Sequence, residues 1–352
     1  MTTLDGAPSA NTRRPTMRDV AALAGVGIKT VSRVVNREPG VSPALAAKVA
    51  RAVEQLDYQP DVNASNLRRA DRKTAAIALV LEDVANPFFA ALHRAVEDTA
   101  RDRGVLVFAG SLDEDPQRER ELVRAFTMRR VDGLIIAPAS DDQSYLYGDV
   151  VRTGTPVVFV DRMPHGLAAD AVLATNTAGA ATAVRHLEAA GHQRIAYLGD
   201  YHRIATARER FEGYRAVMAE SGLTVWPEHV AQDLHSADAA AKVVTAMLEG
   251  PDSPTALFTS QNLVTIGAVR ALQRLGKQHE VALVGFDDFP LADLLAPAVT
   301  VIAQDPAAIG RTAAELLFRR LGGETWKPSQ HLIETRLIPR GSGEIAPRRT
   351  PR

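Results

Sequence analysis

Between Ile28 and Asn36 the sequence sets the polar side chains of Lys29, Thr30, Ser32, Arg33 and Asn36 against Val31, Val34 and Val35. On a helix the valines, three and four apart, share one face and the donors lie mainly on the other. Arg pairs bidentately with the O6/N7 edge of guanine, Lys reaches the same edge, and Ser, Thr and Asn bond bases or phosphate. The pattern therefore carries the chemistry of major-groove reading. Catalytic chemistry finds no comparable support. The chain has no cysteine, which excludes disulfide scaffolds, thiol nucleophiles and Cys-ligated zinc. Its 9 histidines are scattered without metal-ligand spacing, and His93 and His186 read as surface or satisfied polar residues. There is no G-x-G-x-x-G after a strand, no Walker motif, no H-E-x-x-H and no G-x-S-x-G. No catalytic residue, metal or cofactor is expected.

The elements that must position the polar face are legible around it. Thr16 with Asp19 three residues later is a capping pattern for a first helix, on which Val20, Ala21 and Ala24 share a face. Gly25 supplies the left-handed turn that ends that helix, and a second runs from about Ile28 to Val35. Ser42-Pro43 starts a third helix over 44–56, with Leu45, Val49, Val53 and Leu56 at helical spacing. Together these predict a three-helix head. Residues 61–73 are too short and polar to fold alone, and read as a linker or as a helix formed only when two copies meet over DNA.

From Ala75 the texture changes. AAIALVL (75–81) is a continuous apolar run, as in a strand buried on both faces, and strands then alternate with amphipathic helices in two series. The first series holds strands at 75–81, 105–110, 132–138 and 156–161. The second holds strands at 172–175, 194–199, 255–260 and 281–287, and a last strand and helix (299–320) are expected to return to the first lobe. Two βαβ series predict two lobes with a ligand cleft beyond the carboxyl ends of the strands.

Length and charge agree. A chain of 352 residues suggests two or three domains. Residues 1–74 hold 12 Lys and Arg against 7 Asp and Glu, while the rest holds 29 against 35, a basic module on an acidic body. No apolar run of about 18 residues predicts a membrane span. The start, MTTLDGAPSANTRRP, lacks the apolar core of a signal peptide, and its Arg13 and Arg14 are solvated or touch phosphate.

These features together resemble the LacI/GalR family of bacterial transcription regulators over about residues 16–340. The matching motifs are TMRDVAALAGV, TVSRVVNREPGVSP, LDYQPDVNASNLRR, EDVANPFF, RRVDGLIIAP, RIAYLGD, ARERFEGY, GAVRAL and VGFDD. The resemblance implies a helix-turn-helix dimer on a pseudo-palindromic operator. Ile28 and Lys29 then stand at the specificity-determining pair and Arg33 at another base-reading position, with Thr16, Thr30, Ser32 and Asn36 near phosphate or bases. Asn63, Ala64 and Leu67 fall in the hinge, where Ala64 lets two hinge helices pack closely and Leu67 wedges into the minor groove. Gly27 departs from the family's usual Ser at the recognition-helix cap.

For the body, the resemblance implies lobes similar to periplasmic sugar-binding proteins, with a cleft lined by Asn86, Phe88, Phe89, Asp161, Arg162, Arg210, His235, Gln261 and Asp287. Asp161, Arg210 and Asp287 suit sugar hydroxyls, because charged groups make strong directional hydrogen bonds. Phe88 can stack on a sugar or base, or pack with Phe89 in the core. Gln261 replaces the expected Asn, with Asn262 beside it.

The expected fold class is α/β, with a helix-turn-helix head and hinge helix ahead of a two-lobed body with parallel sheets. The expected boundaries are a disordered arm (1–15), the head (16–59), the hinge (60–74), the effector-binding body (75–340) and a flexible tail (341–352). Within the body the N-lobe takes about 75–161 and 298–323, and the C-lobe 162–297 and 324–340. The expected function is a cytoplasmic, DNA-binding transcriptional repressor, nucleoid-associated when bound. It acts as a homodimer controlled by a sugar or sugar derivative, with no membrane partner. A solute-binding protein and a sugar-modifying enzyme on the same fold are the alternatives. The missing signal peptide and the DNA-binding head weigh against the first, and the lack of a nameable nucleophile against the second.

Overall fold

The computed structural model describes residues 14–36, 38–59, 74–150, 152 and 154–347. The chain divides into two compact units, 1–74 and 75–352.

The first unit carries α1 (Met17–Ala24), α2 (Ile28–Val35) and α3 (Pro43–Gln55). The Asp19 carboxylate accepts from both the backbone N–H and the hydroxyl of Thr16, each at 2.7 Å, tying off the start of α1. Gly25 ends it at φ +64°, a left-handed backbone that a Cβ disfavours. Pro43 opens α3 at its first helical position, where the missing N–H is no loss. Val20, Val31, Val49 and Ala52 pack together with Tyr58, which follows the end of α3 and closes the small core.

The second unit has two six-stranded sheets. The first contains β1 (Ala76–Leu81), β2 (Leu106–Ser111), β3 (Gly133–Ile136), β4 (Val157–Val160) and β5 (Asp170–Ala174), with α4 (Pro87–Arg101), α5 (Pro116–Met128) and α6 (Tyr145–Asp149) between them. The second contains β6 (Ile195–Leu198), β7 (Val230–Ala231), β8 (Ala256–Thr259), β9 (Ala282–Phe286) and β10 (Thr300–Ala303). Its helices are α7 (Asn176–Ala189), α8 (Ala205–Glu220), α9 (Ala237–Glu249) and α10 (Asn262–Arg274). The chain then runs through α11 (Pro306–Leu321), β11 (Gln330–Ile333) and β12 (Arg336–Ile338). The strand orders are β11-β5-β4-β3-β1-β2 and β12-β10-β9-β8-β6-β7, parallel except for β12 against β10.

Each sheet is covered on both faces, which is why its central strands read as unbroken apolar runs. In β1, Ile77, Leu79 and Leu81 join one core while Ala78 and Val80 join the other. In β8, Phe258 faces one core and Leu257 the other. Helices pair closely over the second sheet. A Cβ on Gly213 would stand 2.3 Å from the Thr177 carbonyl oxygen of α7, and one on Gly267 would stand 2.4 Å from that of Ala237 in α9.

Four expectations need correction. β5 pairs with β4 and belongs to the first lobe, not to the second series. β10 pairs with β9 and belongs to the second lobe, although α11 does return to the first, where it packs in the core beside α4. β11 lies beside β5 in the first sheet, although residues 324–340 were assigned to the C-lobe. The chain thus crosses between lobes three times, after β5, after β10 and after β11. An apolar run carries no mark of its sheet, because strand pairing is decided by distant partners. Finally, residues 341–347 are not a loose tail. Ser342 is buried and gives its hydroxyl to the Leu283 carbonyl at 2.6 Å, Glu344 accepts from Thr300 Oγ1, and the Ile345 carbonyl meets His192.

Candidate functional site

Two surfaces carry the candidate side chains. On α2, Val31 is wholly buried, and Val34 and Val35 pack against the same core. That fixes the opposite face outward. Lys29, Arg33 and Asn36 are exposed, Thr30 and Ser32 half-buried, and Ile28 is 44% exposed at the helix start. Their contacts are weak and local. Asn36 reaches Ser32 Oγ at 3.3 Å, and Arg33 lies 3.8 Å from Glu38. Gly27 caps α2 without a side chain. Thr16 is engaged at the start of α1. Asn63, Ala64 and Leu67 lie outside the described residues.

In the body, both sheets send the carboxyl ends of their strands toward one cavity of about 450 Å³, its mouth included. Asn86, Phe88, Phe89, Asp161, Arg162, Arg210, His235, Gln261 and Asp287 all line it. The placement follows from the fold. Asp161 directly follows β4 and Asp287 directly follows β9, at matching φ of +68° and +69°. Asn86 and Gln261 cap α4 and α10, and Arg210 projects from α8. Phe88 and Phe89 meet edge to face with centroids 5.0 Å apart, both buried in the first-lobe core as well as lining the cavity.

The polar side chains are bound into networks. Arg162 gives Nη1 to Glu114 Oε2 at 2.9 Å and Nε to Asp161 at 3.0 Å, and its Nη2 forms an ion pair with Glu114 Oε1 at 2.7 Å without a hydrogen bond. Burial alone would weaken its charge, but the two carboxylates hold the guanidinium firmly protonated. Arg210 gives Nε to Asn176 Oδ1 at 2.9 Å and Nη1 to the Ser260 carbonyl at 2.7 Å. It lies 3.6 Å from Asp287 and over the Phe286 ring. Burial raises the Asp287 carboxyl, against the pull of Arg210 and the Gln304 amide. His235 sits between Asp200, 2.8 Å from Nδ1, and Glu82, 3.5 Å from Nε2, and stacks on Tyr201. Hydrogen bonds to these two carboxylates push it up to about 10, so it is a cation at neutral pH. Burial would raise Asp200, but its bond to His235 brings it below the usual range, whereas burial wins at Glu82 and raises it.

Several contacts span the lobes. Asn262 Nδ2 donates to Asn86 Oδ1 at 2.9 Å, His235 meets Glu82, Arg203 approaches Glu114 at 3.6 Å, and Arg208 meets Asp141 at 2.8 Å. In each charged pair the first lobe supplies the acid and the second the base. Asn262, not Gln261, makes the cross-lobe amide bond. Gln261 is occupied capping Leu263 N–H and donating to Asp200. Sequence reasoning missed Glu82, Glu114, Asp200, Thr206, Asn262 and Gln304 in the lining. Glu82 and Gln304 each follow a strand directly, a signal available in the sequence; Glu114 and Thr206 carry none.

Residues 16–61 match the family described as "Bacterial regulatory proteins, lacI family", and residues 184–343 match the "Periplasmic binding protein-like domain". The ribose operon repressor of Halalkalibacterium halodurans is 33% identical over 328 residues, covering 92% of this chain and 96% of that protein. The chain belongs to the LacI family. Another LacI-family relative, the transcriptional repressor PurR of Aliivibrio salmonicida, is 30% identical over 87% of this chain and 92% of its own length. Among solved structures, the lac repressor dimer bound to operator and the anti-inducer ONPF superposes with a TM-score of 0.82 at 26% identity, covering 94% of this chain and 99% of that one. The CelR-cellobiose complex gives 0.69 at 30% identity, covering 94% and 100%. This LacI-family protein is a DNA-binding transcriptional regulator and not an enzyme. Among the described residues no helix is long and apolar enough to cross a membrane, and no group of three His, Asp or Glu is placed to hold a metal ion.

Proposed function

We propose that this regulator is a homodimeric repressor of the cytoplasm and nucleoid that sets one α2 helix into each half of a pseudo-palindromic operator. Its operator affinity is controlled by a sugar or sugar derivative bound between the lobes. Ile28, Lys29 and Arg33 read base edges; Thr16, Thr30, Ser32 and Asn36 meet phosphate or bases; and of the hinge residues (within 60–74) Leu67 wedges into the minor groove, Ala64 lets two hinge segments pack closely and Asn63 contacts the DNA. The observation that carries the effector reading is the cavity itself, where strand-end carboxylates and arginines converge beside an aromatic pair and the lobes already touch across it. A ligand seated there changes which cross-lobe contacts form and shifts the DNA-competent population. A coupling of about 1–3 kcal/mol alters operator affinity roughly 5–150-fold.

The test pairs operator selection with ligand screening. Replacing Ile28 and Lys29 together should change the selected operator bases while leaving ligand protection of the body intact; an unaltered operator removes α2 from its reading role. A sugar that raises the melting temperature should also change operator affinity measured by fluorescence anisotropy. Protection without any change in affinity sinks the coupling.

A further inference from the structure

The cleft is polar throughout, yet every cationic side chain lining it is already held by the protein. Arg162 is clamped by Glu114 and Asp161, His235 lies between Asp200 and Glu82, and Arg210 is held by Asn176, the Ser260 carbonyl and Asp287. The converse also holds: each of these five carboxylates faces one of the three cations, so neither sign is left bare. Fully ionised, the lining carries more negative than positive groups, and an entering anion meets an excess of like charge.

Helix N-termini are the other places where anions bind. Those of α4 and α10 at this cleft are capped from within, whereas α8, whose Thr206 also lines it, starts after Ile204 without a side-chain cap. Asn86 Oδ1 accepts from Phe88 N–H at 3.1 Å, and Gln261 Oε1 accepts from Leu263 N–H at 2.9 Å. The side-chain openings that remain are acceptors, one of them Glu114 Oε1, which has no hydrogen-bond partner among the described residues although it lies 2.7 Å from Arg162 Nη2. Gln304 gives its amide Nε2 to Asp287 at 2.6 Å, and its Oε1 is buried without a hydrogen-bond partner among the described residues. Such an atom calls for a donor, which a hydroxyl supplies without bringing a charge.

We propose that the cleft selects an electroneutral, hydroxyl-rich ligand, an unphosphorylated sugar, and rejects the phosphate esters and acids of the same sugars. The inference rests on the reading of the cleft as the effector site and names the chemical class it takes. The direction of the acid shifts agrees with it. Burial, reinforced by neighbouring Glu114 at Glu82 and by Asp161 at Asp287, already disfavours the ionised form of both carboxyls.

The experiment is a thermal-shift titration of the full chain with free pentoses and hexoses, their phosphate esters, the corresponding sugar acids and amino sugars, and inorganic phosphate. A neutral sugar should bind at least about tenfold more tightly than its phosphate ester, because the ester's charge is desolvated without a partner. An ester, acid or amino sugar that binds more tightly than its parent overturns the proposal. Glu114→Gln removes one countercharge of Arg162, and Asp200→Asn independently releases His235. Each variant should gain stabilisation by inorganic phosphate beyond that of the wild type, read as a difference because the basic head also attracts phosphate. Equal phosphate shifts in the wild type and both variants also overturn it. If the phosphate gains occur but no sugar of any class protects the protein, exclusion of anions stands and the effector reading is what fails.

Discussion

The outward face of α2 and the lining of the cleft are both polar, and they are built in opposite ways. Lys29, Arg33 and Asn36 stand in solvent, and the contacts recorded on that face are within a few residues, such as Asn36 to Ser32 and Arg33 to Glu38. The cleft residues are buried or half-buried and held by partners far away in sequence: Arg162 by Glu114 from 48 residues earlier, and Asn86 by Asn262 across 176 residues. A reading surface leaves its donors open so that bases and phosphates complete them. A cleft that must hold a small ligand in one pose fixes its groups in advance, since each immobilised side chain otherwise lowers affinity. The difference implies that substitutions in the cleft perturb folding as well as response, whereas those on α2 perturb DNA binding alone.

Arg210→Ala is the severest test of that contrast. Arg210 is 5% exposed, and its loss strands the Asn176 oxygen, the Ser260 carbonyl and the buried Asp287. The expected outcome is a loss of about 3–5 kcal/mol from the body in chemical denaturation and no ligand response, with operator binding retained at low temperature. Unchanged stability would mean that the network is not what holds the cleft.

A pH series on the same unit should give the next largest effect. His235 is raised in the folded protein to about 10, above its unfolded value of 6.5. Its contribution is therefore fully present below pH 6.5 and is lost as pH rises toward 10. Discounted for solvent screening of a partly exposed pair, the wild type should lose about 2 kcal/mol more than His235→Gln across that window, and parallel pH profiles would remove the histidine from the cross-lobe contact. The smallest effect is expected in the head. Thr16→Ala removes a hydroxyl from the start of α1 and should lower head stability by about 1 kcal/mol without moving the body's transition. A shift of both transitions would show that the two units do not unfold independently.

The head was legible almost residue by residue. The capping pair, Gly25 and the Ser42-Pro43 start all act within a turn or two of themselves, and the helix bounds fall where they place them. In the body the strands and helices were legible as periodic segments, and the nine cleft candidates, named through the family resemblance, do line one cavity. Membership of the lobes was not legible. β5 and β10 were placed with the wrong sheet and the segment that forms β11 with the wrong lobe, because the chain crosses between lobes three times and the crossings leave no compositional trace. Nor were the partners inside the cleft. Nothing near Glu114 in the sequence announces Arg162, and nothing in Gln261-Asn262 says which amide turns inward to cap and which reaches across to Asn86.

The sequence by itself determined the three-helix head, its outward donor face, the alternating α/β body and the absence of thiol chemistry, since these depend on composition and on periodicities of two and 3.6 residues. Only the tertiary structure decided which strands share a sheet, that residues 341–347 pack into the second lobe, and that every cation in the cleft is matched by an acid. Those outcomes rest on pairing and burial between segments far apart along the chain. Their free energies belong to contacts, and a contact is not written at either of its ends.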